Sequence, residues 1–182
     1  MKNKKRLTIV IIAICVALIG IGATYALIVA SSRPVTNVMT VGDVNITLTE
    51  TKGTSFKLIP GVTHEKDPTV TVQSSSLNCW IFIKEEASAD LRQYASYEID
   101  SGWTPLEGEA GVYYRKYYTS ANDVVYPIIK GNVVAISEDL TEEKMSFIHS
   151  NPTLSFTAYA VQAELMDTPD IAWDTIIIEK GE

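Results

Sequence analysis

The stretch LNCWIFIKE, residues Leu77–Glu85, decides the fold. From Cys79 to Ile83 its residues are apolar without interruption, and aromatic and β-branched types dominate. A short run of this kind is typical of a strand that is covered on both faces, since a strand with one wet face alternates apolar and polar residues. We therefore expect Leu77–Glu85 to form a central strand.

Other strands show the alternation that the central one lacks. Val44–Thr49, Thr69–Gln73 and Leu154–Gln162 alternate apolar and polar residues, which is the period of a half-buried strand. Shorter runs rich in Tyr, Val and Ile predict further strands at Tyr94–Ile99, Val112–Tyr118, Val124–Ile129 and Asn132–Ile136. About eight strands joined by turns predict an all-β fold, a jelly-roll-like β-sandwich.

Two segments favour short helices within this β-rich chain. Thr141 is followed by early acids, with Met145 and Ile148 at helical spacing, and Thr168-Pro169-Asp170 resembles a helix start. The C-terminal segment leaves two interpretations open. Ile171, Trp173 and Ile176 would form one helical face, whereas the three successive Ile residues also suit a strand at Thr175–Glu179.

The N-terminus has the layout of a secretory signal peptide. Basic residues at Lys2 to Arg6 precede the uncharged apolar run Leu7–Gly22, and Ala23-Thr24-Tyr25-Ala26 offers a cleavage site between Ala26 and Leu27. The alternative is an uncleaved anchor, because Leu7–Ala30 is long enough to span a bilayer. Either interpretation places the rest of the chain outside the cytoplasmic membrane.

Composition restricts the partners and the chemistry. Four of the 15 Lys and Arg residues and none of the 22 Asp and Glu residues lie in the leader, which leaves 11 basic against 22 acidic side chains. This acidic balance argues against nucleic acid as a partner. Cys15 lies in the leader, so Cys79 is alone afterwards and is expected to be a buried, inert thiol.

No arrangement of residues indicates a catalytic or metal site. His64-Glu65-Lys66-Asp67-Pro68 begins like the zinc motif HExxH but ends in proline, and His149 is the one other histidine. Glu85-Glu86 and Glu138-Asp139 lack the spacing of a calcium loop. The eight Trp and Tyr residues from Trp80 to Tyr118 suggest one of two arrangements. They could form an aromatic surface that binds sugars or, as we prefer, lie half in the core and half on the solvent face. We predict no enzyme activity, no cofactor and no metal.

Several segments together resemble the TasA/BsaA/camelysin family of secreted Gram-positive proteins, which a SipW-type signal peptidase processes. The resemblance is greatest to the clostridial biofilm-matrix branch and extends over nearly the whole chain. The matching segments are Gly20–Ala26 (GIGATYA), Gly42–Leu48 (GDVNITL), Leu58–Gly61 (LIPG), Lys66–Pro68 (KDP), Leu154–Gln162 (LSFTAYAVQ) and Ala172-Trp173.

The resemblance implies a structural subunit of extracellular fibres that scaffold a biofilm. It implies three regions: a signal peptide at 1–26, an N-terminal donor-strand segment at 27–41 and a β-sandwich domain at 42–182. The donor segment would add as a strand to the next subunit, with Leu27, Val29, Val35 and Val38 as its apolar anchors. The implied partners are other copies of the chain, the signal peptidase and a minor anchoring protein.

Two alternatives remain open from the sequence. Camelysin relatives have been described as metallopeptidases, although this chain has no HExxH motif. The chain could also be an extracellular binding domain whose N-terminal helix is never removed.

The first residue of the exported protein separates the processed subunit from the anchored domain. Because a small residue ends the leader at Ala26, we expect N-terminal sequencing of the exported protein to begin at Leu27. Recovery of Met1 on the exported protein would instead identify an uncleaved anchor.

Overall fold

A computed structural model describes residues 29–30, 37–41, 43–52, 56–146, 148, 152–164 and 166–180. These residues form thirteen strands, a 3₁₀ turn at Lys130–Asn132 and three helices. The helices are α1 (Ala89–Tyr94), α2 (Glu142–Ser146) and α3 (Pro169–Lys180). The strands are β1 (Val29–Ala30), β2 (Asn37–Val41), β3 (Ile46–Thr49), β4 (Phe56–Lys57), β5 (Thr63–Glu65), β6 (Thr69–Val72), β7 (Cys79–Ala87), β8 (Ala95–Ser96), β9 (Thr104–Pro105), β10 (Val112–Tyr117), β11 (Val124–Pro127), β12 (Val133–Ile136) and β13 (Leu154–Gln162).

The strand β7 stands in the middle of a five-stranded sheet with the order β2-β13-β7-β10-β9. It pairs antiparallel with β13 over nine residues and with β10 over six. All five residues from Cys79 to Ile83 are buried. The central strand predicted from LNCWIFIKE is therefore confirmed, and so are the strands predicted around β10 and β13.

One face of this sheet packs against two three-stranded sheets. Their orders are β11-β6-β3 and β5-β12-β8, and a two-stranded ladder joins β1 to β4. Cys79, Ile81 and Ile83 of β7 point into the shared core, where Val70, Val72 and Ile129 meet them. The predicted all-β sandwich is thus confirmed, with the five-stranded sheet as one of its layers.

The opposite face of the five-stranded sheet is covered by α3. Trp80 and Phe82 of β7 form a second core with Tyr159, Trp173 and Ile176, and the Trp173 ring lies 5.2 Å from the Phe82 ring and 5.3 Å from the Tyr159 ring. Trp173 and Ile176 are three residues apart, so a helix brings both onto the sheet. This packing explains why the Ile-rich C-terminus is a helix and not a strand.

The segment after β7 differs from the expected strand Tyr94–Ile99. Tyr94 ends α1, and the ladder that follows covers Ala95 and Ser96, with a separate bridge from Ile99 to Ile129. The hydroxyl of Ser88 accepts a hydrogen bond from the Leu91 amide and caps α1, while Asp90 lies in its first turn. The cap and the burial of Leu91 and Tyr94 outweigh the β preference of the tyrosines.

Truncation of Phe82 tests the double burial of the central strand. Phe82 is fully buried between Trp173 and Tyr114, so Phe82→Ala should lower the free energy of unfolding by about 3–5 kcal/mol. Val125→Ala, at an exposed position of β11, is the matched control and should change it by less than about 0.5 kcal/mol. Equal urea midpoints for the two variants would contradict this account.

Candidate interaction surface

The strand nearest to the predicted leader in the large sheet, β2, forms one edge of that sheet. Its five residues pair in parallel with β13, from Asn37 opposite Thr157 to Val41 opposite Val161. The side chain of Val38 is 37% exposed and that of Thr40 is exposed as well.

The ladder between β2 and β13 carries no charge. The sequences of the two strands, NVMTV and LSFTAYAVQ, contain no Asp, Glu, Lys or Arg. By contrast, β7 ends with Lys84, Glu85 and Glu86 before Ala87. In an acidic chain, the edge formed by β2 and β13 is thus a place where backbone groups can pair without bringing like charges together.

Downstream of β2, hydrogen bonds hold the backbone of Asn45 in place. The Asn45 amide donates a hydrogen bond to the Ser76 hydroxyl at 2.9 Å, and that hydroxyl donates to the Asn45 carbonyl oxygen at 3.1 Å. The Gln73 amide donates to the same carbonyl oxygen at 2.9 Å. Because Ser76 is fully buried, Asn45 is a fixed point, and β2 lies on its N-terminal side.

The predicted donor-strand residues are distributed over different parts of this surface. Leu27 and Val35 lie outside the described residues, as does Ala26 at the predicted cleavage site. The backbone of Val29 pairs with Lys57 in the β1–β4 ladder, and Val38 lies opposite Ala158. A continuous strand alternates its faces with a period of two, so Val38 would face away from the side shared by Val29 and Val35.

A buried ion pair fixes the far end of β3. The Lys66 ammonium contacts the Glu50 carboxylate at 2.6 Å, and the two side chains are 1% and 7% exposed. Burial raises the pKa of Glu50 above its ordinary value and outweighs the opposing effect of the Lys66 charge. The pair joins the residue after β3 to the residue after β5, within the sandwich core.

The neighbouring Asp67 ties the same segments together at the surface. Its carboxylate accepts hydrogen bonds from the Thr51 hydroxyl and from the amides of Thr51 and Lys52. Partial burial alone would raise the pKa of Asp67, but these hydrogen bonds outweigh it and hold the pKa below its usual value. The loop after β3 is consequently fastened by Asp67 as well as by Lys66.

A second buried carboxylate, Glu85, borders a cavity of about 550 Å³ with Arg92, Tyr97 and Tyr113. It accepts a hydrogen bond from the Tyr97 hydroxyl at 2.7 Å and contacts the Arg92 guanidinium at 2.9 Å. Burial, reinforced by the Glu85 charge, raises the pKa of Tyr97. Because the chain itself supplies these partners, we assign the cluster a structural role, joining α1 and the segment after it to β7.

The structure describes two of the three residues considered for chemistry, His64 and Cys79. His64 lies in β5, and His149 is outside the described residues. Cys79 is buried in β7, and its burial raises the pKa of the thiol to about 12, which suppresses the reactive thiolate. Across the described ranges, no three His, Cys, Asp or Glu side chains are grouped so that they could hold a metal ion.

No protein-family model, no curated protein and no solved structure compared with this chain matches it. Within the described part of the chain, no helix combines the length and the apolar character that crossing a membrane requires. The assignment of a function therefore depends on the geometry of the chain itself.

The buried pair Lys66–Glu50 should be sensitive to the loss of either partner. Lys66→Met leaves the Glu50 carboxylate buried without its cation, so we expect the free energy of unfolding to fall by about 3–5 kcal/mol in urea denaturation. The double variant Lys66→Met/Glu50→Leu should recover most of that loss, since no buried charge remains.

An exposed ion pair nearby supplies the control for this measurement. Lys52 contacts Glu65 at 2.6 Å with side chains that are 59% and 65% exposed, and Lys52→Met should leave the urea midpoint nearly unchanged, because solvent screens an exposed pair. If the double variant at Lys66 and Glu50 is no more stable than Lys66→Met alone, the uncompensated Glu50 charge is not the cause of the lost stability.

Proposed function

We propose that the chain is a structural subunit of an extracellular fibre, and that the N-terminal segment of one subunit pairs with the β13 edge of the next. The observation that carries this proposal is the position of β2. The segment that follows the predicted leader is a parallel edge strand, it precedes a fixed point at Asn45, and its two described side chains are exposed.

Such an exchange costs little in backbone hydrogen bonds because the same ladder forms in both states. The five residue pairs between β2 and β13 are made of backbone groups that a neighbouring copy supplies equally well. Strand addition obtains its affinity from main-chain hydrogen bonds and its specificity from alternate side chains. The concentration of chains then decides between the closed monomer and the polymer, because only the polymer needs a second copy.

The strand β13 extends beyond the residues that pair with the described part of β2. Among the described residues, β2 pairs with Thr157–Val161 of β13, so that Leu154–Phe156 extend beyond it. A donated strand that kept the same register would bring Thr36 opposite Phe156 and Val35 opposite Ser155.

Exchange of this type also gives a direction of growth. The donated segment and the accepting edge are different surfaces of one subunit, so each subunit donates to one neighbour and accepts from another. Such head-to-tail contacts propagate into a filament unless their rotation closes a ring. In this proposal the protein is exported, a signal peptidase of SipW type cleaves before Leu27, and copies of the chain are its main partners.

Disulfide trapping tests whether β2 pairs between subunits. Val38 and Ala158 lie opposite each other, and neighbouring strands are about 4.8 Å apart, which a disulfide can span. Chains carrying only Val38→Cys are mixed with chains carrying only Ala158→Cys, left to polymerise, and oxidised. We expect a covalent heterodimer on a non-reducing gel, because the thiol introduced into β2 of one chain would meet the thiol introduced into β13 of another.

The control places the second cysteine at Val125, an exposed position on β11 in a different sheet, where no crosslink should form. A chain carrying both Val38→Cys and Ala158→Cys, oxidised as a monomer, should be locked shut and should polymerise only after reduction. Filaments that form without any crosslink between the two singly substituted chains, or that form from the locked chain, would overturn the proposal.

A further inference from the structure

A depression of about 440 Å³ lies at the end of the five-stranded sheet where β7 begins and where β10 and β13 end. Its lining includes Leu77, Asn78, Lys116, Tyr118, Gln162 and Glu164. This volume falls in the lower part of the range of ligand pockets, about 300–1,000 Å³. Neither the core nor the β2–β13 ladder uses these side chains.

One aromatic ring stands out at the rim of this depression. Tyr118 is 67% exposed, whereas the other aromatic residues between Trp80 and Tyr117 are buried or half-buried. The Lys116 ammonium lies 4.6 Å from the centre of the Trp80 ring and 5.9 Å from that of Tyr118. Among the described residues Lys116 forms no ion pair, so its N–H donors can serve a ligand.

The polar side chains of the depression are held in place by one another. The Gln162 amide nitrogen donates to a Glu164 carboxylate oxygen at 3.0 Å. The Asn78 amide oxygen accepts from the Thr119 amide at 2.8 Å and from its hydroxyl at 3.2 Å. These contacts leave the Gln162 oxygen as an acceptor and the Asn78 amide N–H groups as donors.

The backbone at this site is already paired, which argues against an extended peptide as the ligand. The Leu77 amide donates to the Asp43 carbonyl oxygen at 3.1 Å, and the Ala163 amide donates to the Asn78 carbonyl oxygen at 2.8 Å. The Thr119 amide is bound by the Asn78 side chain. An added strand needs free backbone donors and acceptors, so recognition here depends on side chains.

We propose that this depression binds a pyranose unit of an extracellular polysaccharide. A sugar ring has an apolar C–H face that can pack on the exposed Tyr118 ring. Its hydroxyls each donate and accept, which matches the mixed donors and acceptors of Asn78, Gln162, Glu164 and Lys116. The site would attach the protein to a carbohydrate whether or not β2 is exchanged between subunits.

Binding of defined oligosaccharides to the purified protein tests this inference. The probes are cellohexaose, maltohexaose, chitohexaose and an oligogalacturonate, followed by isothermal titration and by saturation-transfer NMR. We expect at least one neutral hexamer to bind, and Tyr118→Ala to weaken its affinity about tenfold or more because the packing surface is lost. Tyr118→Phe keeps the ring and should bind nearly as well.

Two further variants complete the test. Gln162→Leu should weaken binding by removing an acceptor, and Val125→Ala on the remote strand β11 should leave it unchanged. Thermal unfolding of each variant verifies that the fold persists, as expected for these positions. The inference would be overturned if no neutral probe bound, if Tyr118→Ala bound as well as the parent, or if only the charged oligogalacturonate bound.

Discussion

The burial of both faces of β7 is the constraint on which the rest of this structure depends. A strand whose successive residues are all apolar has two apolar faces. In a two-layered sandwich one of these faces would remain in water. Cys79, Ile81 and Ile83 fill one core, while Trp80 and Phe82 fill the other. The chain satisfies this requirement by packing the two three-stranded sheets on one side of β7 and α3 on the other.

Side-chain burial decreases from β7 towards the β2 edge of its sheet. The inner strands β13 and β10 contribute side chains to both cores, whereas the described side chains of β2 are exposed. Elements with few buried contacts open at lower free energy than the strands they flank. The fixed point at Asn45 and the buried pair Lys66–Glu50 lie downstream of β2, which is the arrangement that the proposed exchange of β2 requires if β3 and its connections are to stay in place.

The elements that the sequence predicts well are those whose own residues carry the signal. β7 follows from an uninterrupted apolar run, β13 from the alternation of apolar and polar residues in its sequence, and the start of α3 from Thr168-Pro169-Asp170. The pairing of β2 with β13 had no such signal, because the two strands meet only through tertiary structure. Similarly, Lys66 and Glu50 each resemble ordinary surface residues in the sequence, and only the fold shows them buried and paired. The sequence analysis missed α1, because the Tyr-containing segment Tyr94–Ile99 favoured a strand, and the cap at Ser88 was found only in the structure.

The charge of the chain restricts how copies of it can associate. With 11 basic and 22 acidic side chains after the predicted leader, two copies of the chain would repel each other over the Debye length of about 8 Å at physiological ionic strength. A contact between such subunits has to place uncharged groups at its centre. The ladder of β2 and β13 meets this condition because neither strand contains a charged residue, and its hydrogen bonds join backbone groups that carry no net charge. The proposed exchange therefore places uncharged strands at the contact between two acidic subunits.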